Sequence, residues 1–248
     1  MTEPLRIIQL SDCHVSATPD AVYRGINPRE TLKVLLPTVS DWGPDLVLLT
    51  GDLAEQPRPE AYGYLRSAIN RLGVPVLAIP GNHDDPEAQR RGFPETAVDT
   101  PLTWRGAGWQ MILLNSAAEG RIEGVLTPAM LQGMQESLRT SNAHALVVLH
   151  HQPVPTGALW IDRYPLQAPE QFWDILDRHS QVRGVCWGHI HHAFSSRRGD
   201  IRLLGAPSTA ANSLPGQAQF VTDPRGAACR WLELWDDGRL ETGLLHAA

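Results

Sequence analysis

Five short polar motifs carry the residue types that could do chemistry: Asp12-Cys13-His14, Gly51-Asp52, Gly81-Asn82-His83-Asp84, His150-His151 and Gly188-His189-Ile190-His191. Carboxylate, amide and imidazole are the oxygen and nitrogen donors that hold divalent cations, and no cysteine cluster stands among them. Cations held this way polarise a phosphoryl group and activate water, so the donor set argues for metal chemistry at phosphate.

Each motif follows an apolar run that reads as a strand. These are Leu5-Arg6-Ile7-Ile8-Gln9-Leu10, Leu46-Val47-Leu48-Leu49-Thr50, Val76-Leu77-Ala78-Ile79-Pro80, Ala145-Leu146-Val147-Val148-Leu149 and residues 182–187. Ligands of layered α/β proteins gather beyond the carboxyl ends of sheet strands, so a repeated strand-then-donor pattern predicts one converged site. Between the strands, Pro28 to Ser40 predicts a helix with Leu32, Leu35, Leu36 and Val39 on one face. Pro59 to Arg71 predicts another, as does Thr127 to about Leu138, with Thr127 as N-cap and Pro128 in the first turn. Ala168 to His179 makes a fourth, while Pro94 to Trp109 reads as irregular and Gln110 to Asn115 as a strand. After His191 the pattern turns to short strands at Ile201 to Leu204, Ala218 to Thr222, Cys229 to Trp235 and Leu240 to Leu245, with a hairpin signal at Asp237-Gly238. Alternating β and α elements followed by hairpins predict a mixed sheet packed on a second sheet, with helices outside both.

The motifs differ in specificity. Asp12 with His14, taken alone, is as compatible with an Asp in a turn beside a surface His. Gly51-Asp52 is an ordinary turn whose value is its position, where one carboxylate could bridge two cations. Gly81-Asn82-His83-Asp84 is sharper: the Gly permits a tight turn, the Asn amide oxygen is a neutral ligand, and His83 projects without needing to coordinate. The bland alternative there is a helix N-cap at Asn82. His189 and His191 are two apart on an extended segment, which sends both to one side. Of His150 and His151, the first comes directly off the strand and is taken as the ligand; His151 is left to support it or to touch substrate. Asp84 is read as orienting His83 or capping the next turn. His144, His179 and His246 belong to no motif, and His192 could fall either way.

Bulk properties narrow the function classes. A chain of 248 residues can bury a sizeable core, and with no linker-like stretch between residues 12 and 191 it reads as one domain, residues 1–248. The formal net charge of −6 argues against nucleic acid or an anionic membrane as partner and leaves a small anionic substrate. Three unpatterned cysteines, no apolar leader and no run near the ~20 residues of a bilayer span point to a reducing, cytoplasmic setting. Monomer and homodimer stay equally open.

Together and in this order, the motifs resemble the calcineurin-like metallophosphoesterase superfamily, whose pattern is D-x-H, G-D, G-N-H-D/E, a His and G-H-x-H. The resemblance spans the chain. It implies a four-layer α/β-β/α sandwich of two mixed sheets flanked by helices, with two metal ions at the sheet edge. Carried over by position, Asp12, His14, Asp52 and His191 would hold one ion, and Asp52, Asn82, His150 and His189 the other. His83 would be the catalytic imidazole and, with Asn82, a substrate contact. Iron or manganese are the expected metals, with zinc, cobalt or magnesium as alternatives.

Within the superfamily, the segments His150-His151-Gln152-Pro153-Val154-Pro155, Cys186-Trp187-Gly188-His189-Ile190-His191, Arg202 to Thr209 and Arg230 to Leu234 resemble the bacterial class III cyclic nucleotide phosphodiesterases of the CpdA type. That resemblance implies hydrolysis of 3',5'-cyclic AMP to 5'-AMP by in-line attack of a metal-bridging hydroxide. Gln152 and Asn115 depart from that group's usual residues. A broader phosphodiesterase or phosphomonoesterase with the same centre is the alternative within the enzyme class, and a non-catalytic scaffold is the alternative outside it. A phosphoprotein phosphatase fits less well, because Asp52 is followed by Leu53-Ala54-Glu55-Gln56 rather than by an early Arg. Ser208, Thr209, Asn212 and the Pro94 to Trp109 stretch are candidates for the walls of a base pocket.

Overall fold

The computed structural model describes residues 3–247. Two mixed sheets lie face to face. The first has the order β11-β10-β1-β2-β3, built from β1 (Leu5–Leu10), β2 (Leu46–Thr50), β3 (Val76–Ile79), β10 (Ala228–Leu234) and β11 (Leu240–His246). The second runs β4-β5-β6-β7-β9-β8, from β4 (Leu102–Gly106), β5 (Trp109–Leu113), β6 (His144–Val148), β7 (Val182–Trp187), β8 (Phe194–Arg198) and β9 (Ile201–Gly205).

Strand alternation sets the layers. Ile7, Leu46, Leu48 and Leu77 face Met111, Leu113, Leu146, Val148 and Cys186 across the gap between the sheets. Their neighbours Ile8, Leu10, Val47 and Leu49 point the other way, onto α1 (Pro28–Trp42) and α2 (Pro59–Ile69). On the far side, Ala145, Val147 and Val185 pack under α4 (Pro128–Arg139), α5 (Leu159–Asp162) and α6 (Glu170–Leu176). The four-layer α/β-β/α architecture is therefore present. Buried on both faces, the central strands read as continuous apolar runs.

β1, β2 and β3 are parallel, as are β5, β6, β7 and β9. Loops beyond the carboxyl ends of both parallel groups meet at one place, where Gln9 Nε2 donates to Thr50 Oγ1 and to the Trp187 carbonyl of the opposite sheet, each at 3.1 Å.

Several boundaries differ from expectation for local reasons. α1 runs two residues past Ser40 and stops at Gly43, whose φ of 70° ends it. α2 yields at Asn70 to a single tight turn, Asn70–Leu72. α4 starts as expected, Thr127 Oγ1 accepting from Met130 N at 3.2 Å, a cap worth ~1 kcal/mol. The helix expected from Ala168 begins only at Glu170, because Ala168 sits at φ 46°. The stretch from Pro94 is not wholly irregular: β4 lies within it, an edge strand that pairs only with β5. β8 is the other outer edge; its Ser and Arg side chains face solvent and hid it from an apolar-pattern reading. Ala218 to Thr222 is not a strand and contributes a lone bridge between Ser213 and Thr222. A short helix, α3 (Pro86–Gly92), follows the third motif and is capped by Asp85, not Asp84.

Candidate metal centre

Three of the five motif loops, those of Asp12, Asp52 and His189, hold strained backbone. Among the described residues, eight non-glycine residues have left-handed φ, and five of them are Asp12, His14, Asp52, His189 and His191, at 44° to 67°. Such conformations cost ~1–3 kcal/mol each and persist only where surroundings over-determine them. Here the loops are sewn together: Asp12 N donates to Gly51 O (3.0 Å), His14 N to Asp52 O (2.9 Å) and His189 N to the Asp12 carboxylate (3.0 and 3.1 Å). Asp52 Oδ1 accepts from His83 N at 2.9 Å. Gly81 and Gly188 permit this closeness, since a Cβ on Gly81 would strike Asp52 and one on Gly188 would strike Ser11, Thr50 and Asp12.

All eight residues singled out in the sequence converge. Ligand atoms of Asp12, His14 and His191 lie within 4.8 Å of one another, as do those of Asp12, Asp52 and His150, and those of His14, Asp52 and His83. His189 falls with His150 and His151. Closest are His14 Nε2 to His191 Nε2 (3.3 Å), His191 Nε2 to Asp12 Oδ1 (3.3 Å), and His150 Nε2 to Asp52 Oδ1 (3.5 Å). Asn82 and His83 line the cleft above Asp52.

One feature repeats at four imidazoles. His14 Nδ1 donates to Glu55 Oε2 (2.8 Å), His150 Nδ1 to Thr50 O (2.7 Å), His191 Nδ1 to Ala211 O (2.8 Å), and His189 Nε2 to Tyr164 O (3.1 Å). Each ring thus has one N–H committed to an outer acceptor, which fixes the tautomer and leaves the other nitrogen's lone pair free, the usual condition of a metal-ligating histidine. His150 Nε2 and Asn82 Oδ1 are buried with no hydrogen-bond partner among the described residues. Unpartnered acceptors and two buried carboxylates at one point cost several kcal/mol unless cations offset them, and this O/N set fits divalent cations.

The electrostatics follow the same logic. Burial alone would raise Asp52, but His150, His83 and His14 together outweigh it and hold its carboxyl well below the usual range. Asp12, likewise buried, is lowered by His191 and His150. Burial pushes the His14 and His189 imidazoles down, toward the neutral form a ligand needs. His150 differs, since burial is outweighed by Asp52 and Asp12, which raise it to about 9; so does His83, where burial opposes protonation, yet Asp52 and Glu55 prevail and raise it. Its Nδ1 lies 3.3 Å from the Glu55 carbonyl, and the half-buried ring stands across from His14 at 4.8 Å.

Asp84 neither caps α3 nor orients His83. Its carboxylate accepts from Leu53 N, Ala54 N, Gly81 N and Tyr62 Oη at 3.0–3.1 Å, tying the Asn82 turn to the Asp52 loop. His151 is buried, taking the Ser116 hydroxyl on Nδ1 (2.8 Å) and donating from Nε2 to Ile122 O (3.0 Å), so it braces the Ile122 loop. His192 is buried, with Nδ1 on Ile190 O. The proposed pocket walls move as well. Ser208, Thr209 and Asn212 are buried beneath the site, where Ser208 Oγ donates to Asp12 O and Asn212 Oδ1 accepts from Ser208 N, both at 2.7 Å. The 94–109 stretch does not line the cleft. Its walls are Tyr23, Arg24, Arg121, Ile122, Trp160, Ile161 and Tyr164, around a volume of about 450 Å³. Asn115 makes a turn by accepting from Ala117 N, and Gln152 donates to Ile161 O, so the two departures noted in the sequence are structural. Glu55 serves His14 and His83, a role that nothing in its spacing marks.

Residues 5–193 match the calcineurin-like phosphoesterase family. The chain belongs to that family. Among its relatives is the 3',5'-cyclic adenosine monophosphate phosphodiesterase CpdA of Pseudomonas aeruginosa, 34% identical over 241 residues, covering 96% of this chain and 88% of the relative. CpdA of Escherichia coli K12 is 30% identical over 242 residues, covering 96% and 88%. A dimetal phosphatase from Danio rerio has the same fold, with a TM-score of 0.74 at 13% identity over the full length of both chains. Membership of the family makes this chain a phosphoester hydrolase with a divalent-metal centre. Among the described residues, no helix is long and apolar enough to cross a membrane.

Proposed function

We propose that the protein hydrolyses 3',5'-cyclic AMP to 5'-AMP at a dinuclear metal centre. The observation that carries the centre is the repeated tautomer lock on His14, His150, His189 and His191, which leaves four lone pairs beside two buried carboxylates. The substrate rests on relatives named as cyclic nucleotide phosphodiesterases over almost the whole chain. In this reading Asp12, His14, Asp52 and His191 hold one cation, and Asp52, Asn82, His150 and His189 the other, with iron or manganese as the expected metals. Such cations supply an activated water near neutral pH and offset charge on the phosphoryl oxygens.

The protein's own groups do the rest. Breaking the bond from phosphorus to O3' leaves an alkoxide that must be protonated. His83, whose charged form Asp52 and Glu55 favour over the pull of burial and which lines the cleft, donates that proton. Its Nδ1 is turned to Glu55, so Nε2 is the donor. Asn82 and His83 hold the phosphate, and the knitted loops keep both in place without reorganisation. Residues 1–248 act as one domain, because donors come from both sheets. The three buried, unpaired thiols suit a reducing cytoplasm.

The test is a panel of cyclic AMP, cyclic GMP, a 2',3'-cyclic nucleotide and a simple aryl phosphodiester, run on metal-reconstituted protein with metal per chain measured in parallel. Two metals per chain and preference for the 3',5'-cyclic nucleotides are expected. A single metal, or rapid cleavage of the aryl diester with none of the cyclic nucleotides, would overturn the reading.

A further inference from the structure

Three rings from three separate segments converge on one guanidinium at the mouth of the cleft. The Arg24 guanidinium carbon lies 4.0 Å from the ring centre of Phe220, 5.4 Å from Tyr23 and 5.6 Å from Trp160. Trp160 meets Phe220 edge to face at 5.3 Å and stands 6.0 Å from the His191 ring, while Tyr23 stacks on His14 at 3.8 Å. Arg24 Nε donates to Tyr23 Oη at 3.1 Å, and no carboxylate pairs with the guanidinium among the described residues. Its backbone is left-handed at φ 49°, the sixth such residue around this site. A strained, cationic, unpaired side chain caged by aromatics is not needed to close the core, since Arg24 is exposed.

Exposed apolar residues flank the cluster in sequence. Val22, Leu159 and Val221 are 67%, 63% and 40% exposed, and each is the chain neighbour of one member of the cluster. Across the cleft, Ile122 is 46% exposed. Of the five large apolar residues most exposed among the described residues, these are four.

We propose that the cleft wall formed by Trp160 and Arg24, backed by Phe220, is the nucleobase subsite. It rests on the cyclic-nucleotide reading above. The phosphate is bound over the Asp52 cluster, and the base is the one flat, uncharged part of the substrate left to place. Indole and guanidinium faces are the groups on which unpaired bases stack. The wall is beside the metal ligands through the Trp160–His191 contact, so a base carried on a ribose reaches it while the phosphate stays in place.

Calorimetric binding of 5'-AMP and of ribose 5-phosphate to the metal-loaded protein tests this, because the two probes share the phosphate and differ by the base. Wild type is expected to bind 5'-AMP roughly tenfold or more tightly than ribose 5-phosphate, the scale of one base–aromatic stack. In Trp160→Ala and in Arg24→Ala that ratio should fall toward one, with metal per chain and the ribose 5-phosphate constant held. Trp160→Phe should restore most of it. A ratio retained in both alanine variants would overturn the subsite and leave the nucleotide reading standing. A ratio near one in wild type would remove both. Parallel loss of ribose 5-phosphate binding would make the wall a support of the metal centre and overturn the proposal.

Discussion

The strand-end loops and the cleft wall meet at the same opening but are built by opposite means. Asp12, His14, Asp52, His150, His189 and His191 are buried, cross-linked between two sheets and locked by an outer acceptor or a neighbouring amide. Tyr23, Arg24, Arg121, Ile122 and Trp160 come from loops and a one-turn helix and are exposed or half-buried. The contrast teaches that the proposed metal ligands are held by the scaffold, whereas the proposed grip on the rest of the substrate falls to parts that can change without unfolding it.

The largest effect should come from breaking the rigid side at its shared point. Asp52→Ala is expected to lower turnover by more than the ~10²–10³-fold typical of losing one electrostatic group, because the proposed role spans both cations. Elemental analysis should show metal loss as well, beyond that of any single His variant; two retained metals with near-normal rates would refute the bridging role.

Next in size is His83, which stands on the boundary between the two regions. His83→Ala is expected to keep its metal and lose ~10²–10⁴-fold in kcat, the range of a missing general acid. An apo protein from this substitution would make His83 a ligand. Glu55→Gln, which keeps an acceptor for His14 but removes the charge beside His83, should cost less, toward the lower end of the ~10–100-fold seen when an outer partner of a metal ligand is altered. Metal affinity by competition with a chelator reads it directly.

The smallest effect belongs far from both regions. Arg198 on β8 forms a bidentate pair with Asp177 at 2.6 and 3.0 Å, and Arg198 holds that carboxyl below its ordinary range. A depressed carboxyl contributes stability that is present above its unfolded pKa of ~3.9 and is lost as pH falls through the lower folded value. Arg198→Ala should therefore cost about 1 kcal/mol or less at neutral pH, less in strong acid, where only its contact with the Trp173 ring is left to lose, and no activity. Denaturant melts at neutral and low pH check it.

The same contrast explains what could be read from sequence. Donors on strand ends were legible because an apolar run followed by Asp, Asn or His fixes both their position and their convergence, and the four layers followed from strand alternation. Glu55, Arg24, Trp160 and Phe220 were not legible: they reach the site through loop geometry, which no local periodicity encodes. The same limit misassigned Ser208, Thr209 and Asn212 to a pocket wall, when their hydrogen bonds lie beneath Asp12. β4 and β8 escaped because edge strands carry little apolar pattern.

The most direct measurement of the central claim is the identity of the product from cyclic AMP, with 5'-AMP and 3'-AMP separated by chromatography after reaction with the metal-loaded protein. Exclusive 5'-AMP is expected if His83 protonates O3' as proposed. Formation of 3'-AMP, or no product from cyclic AMP, would contradict the account.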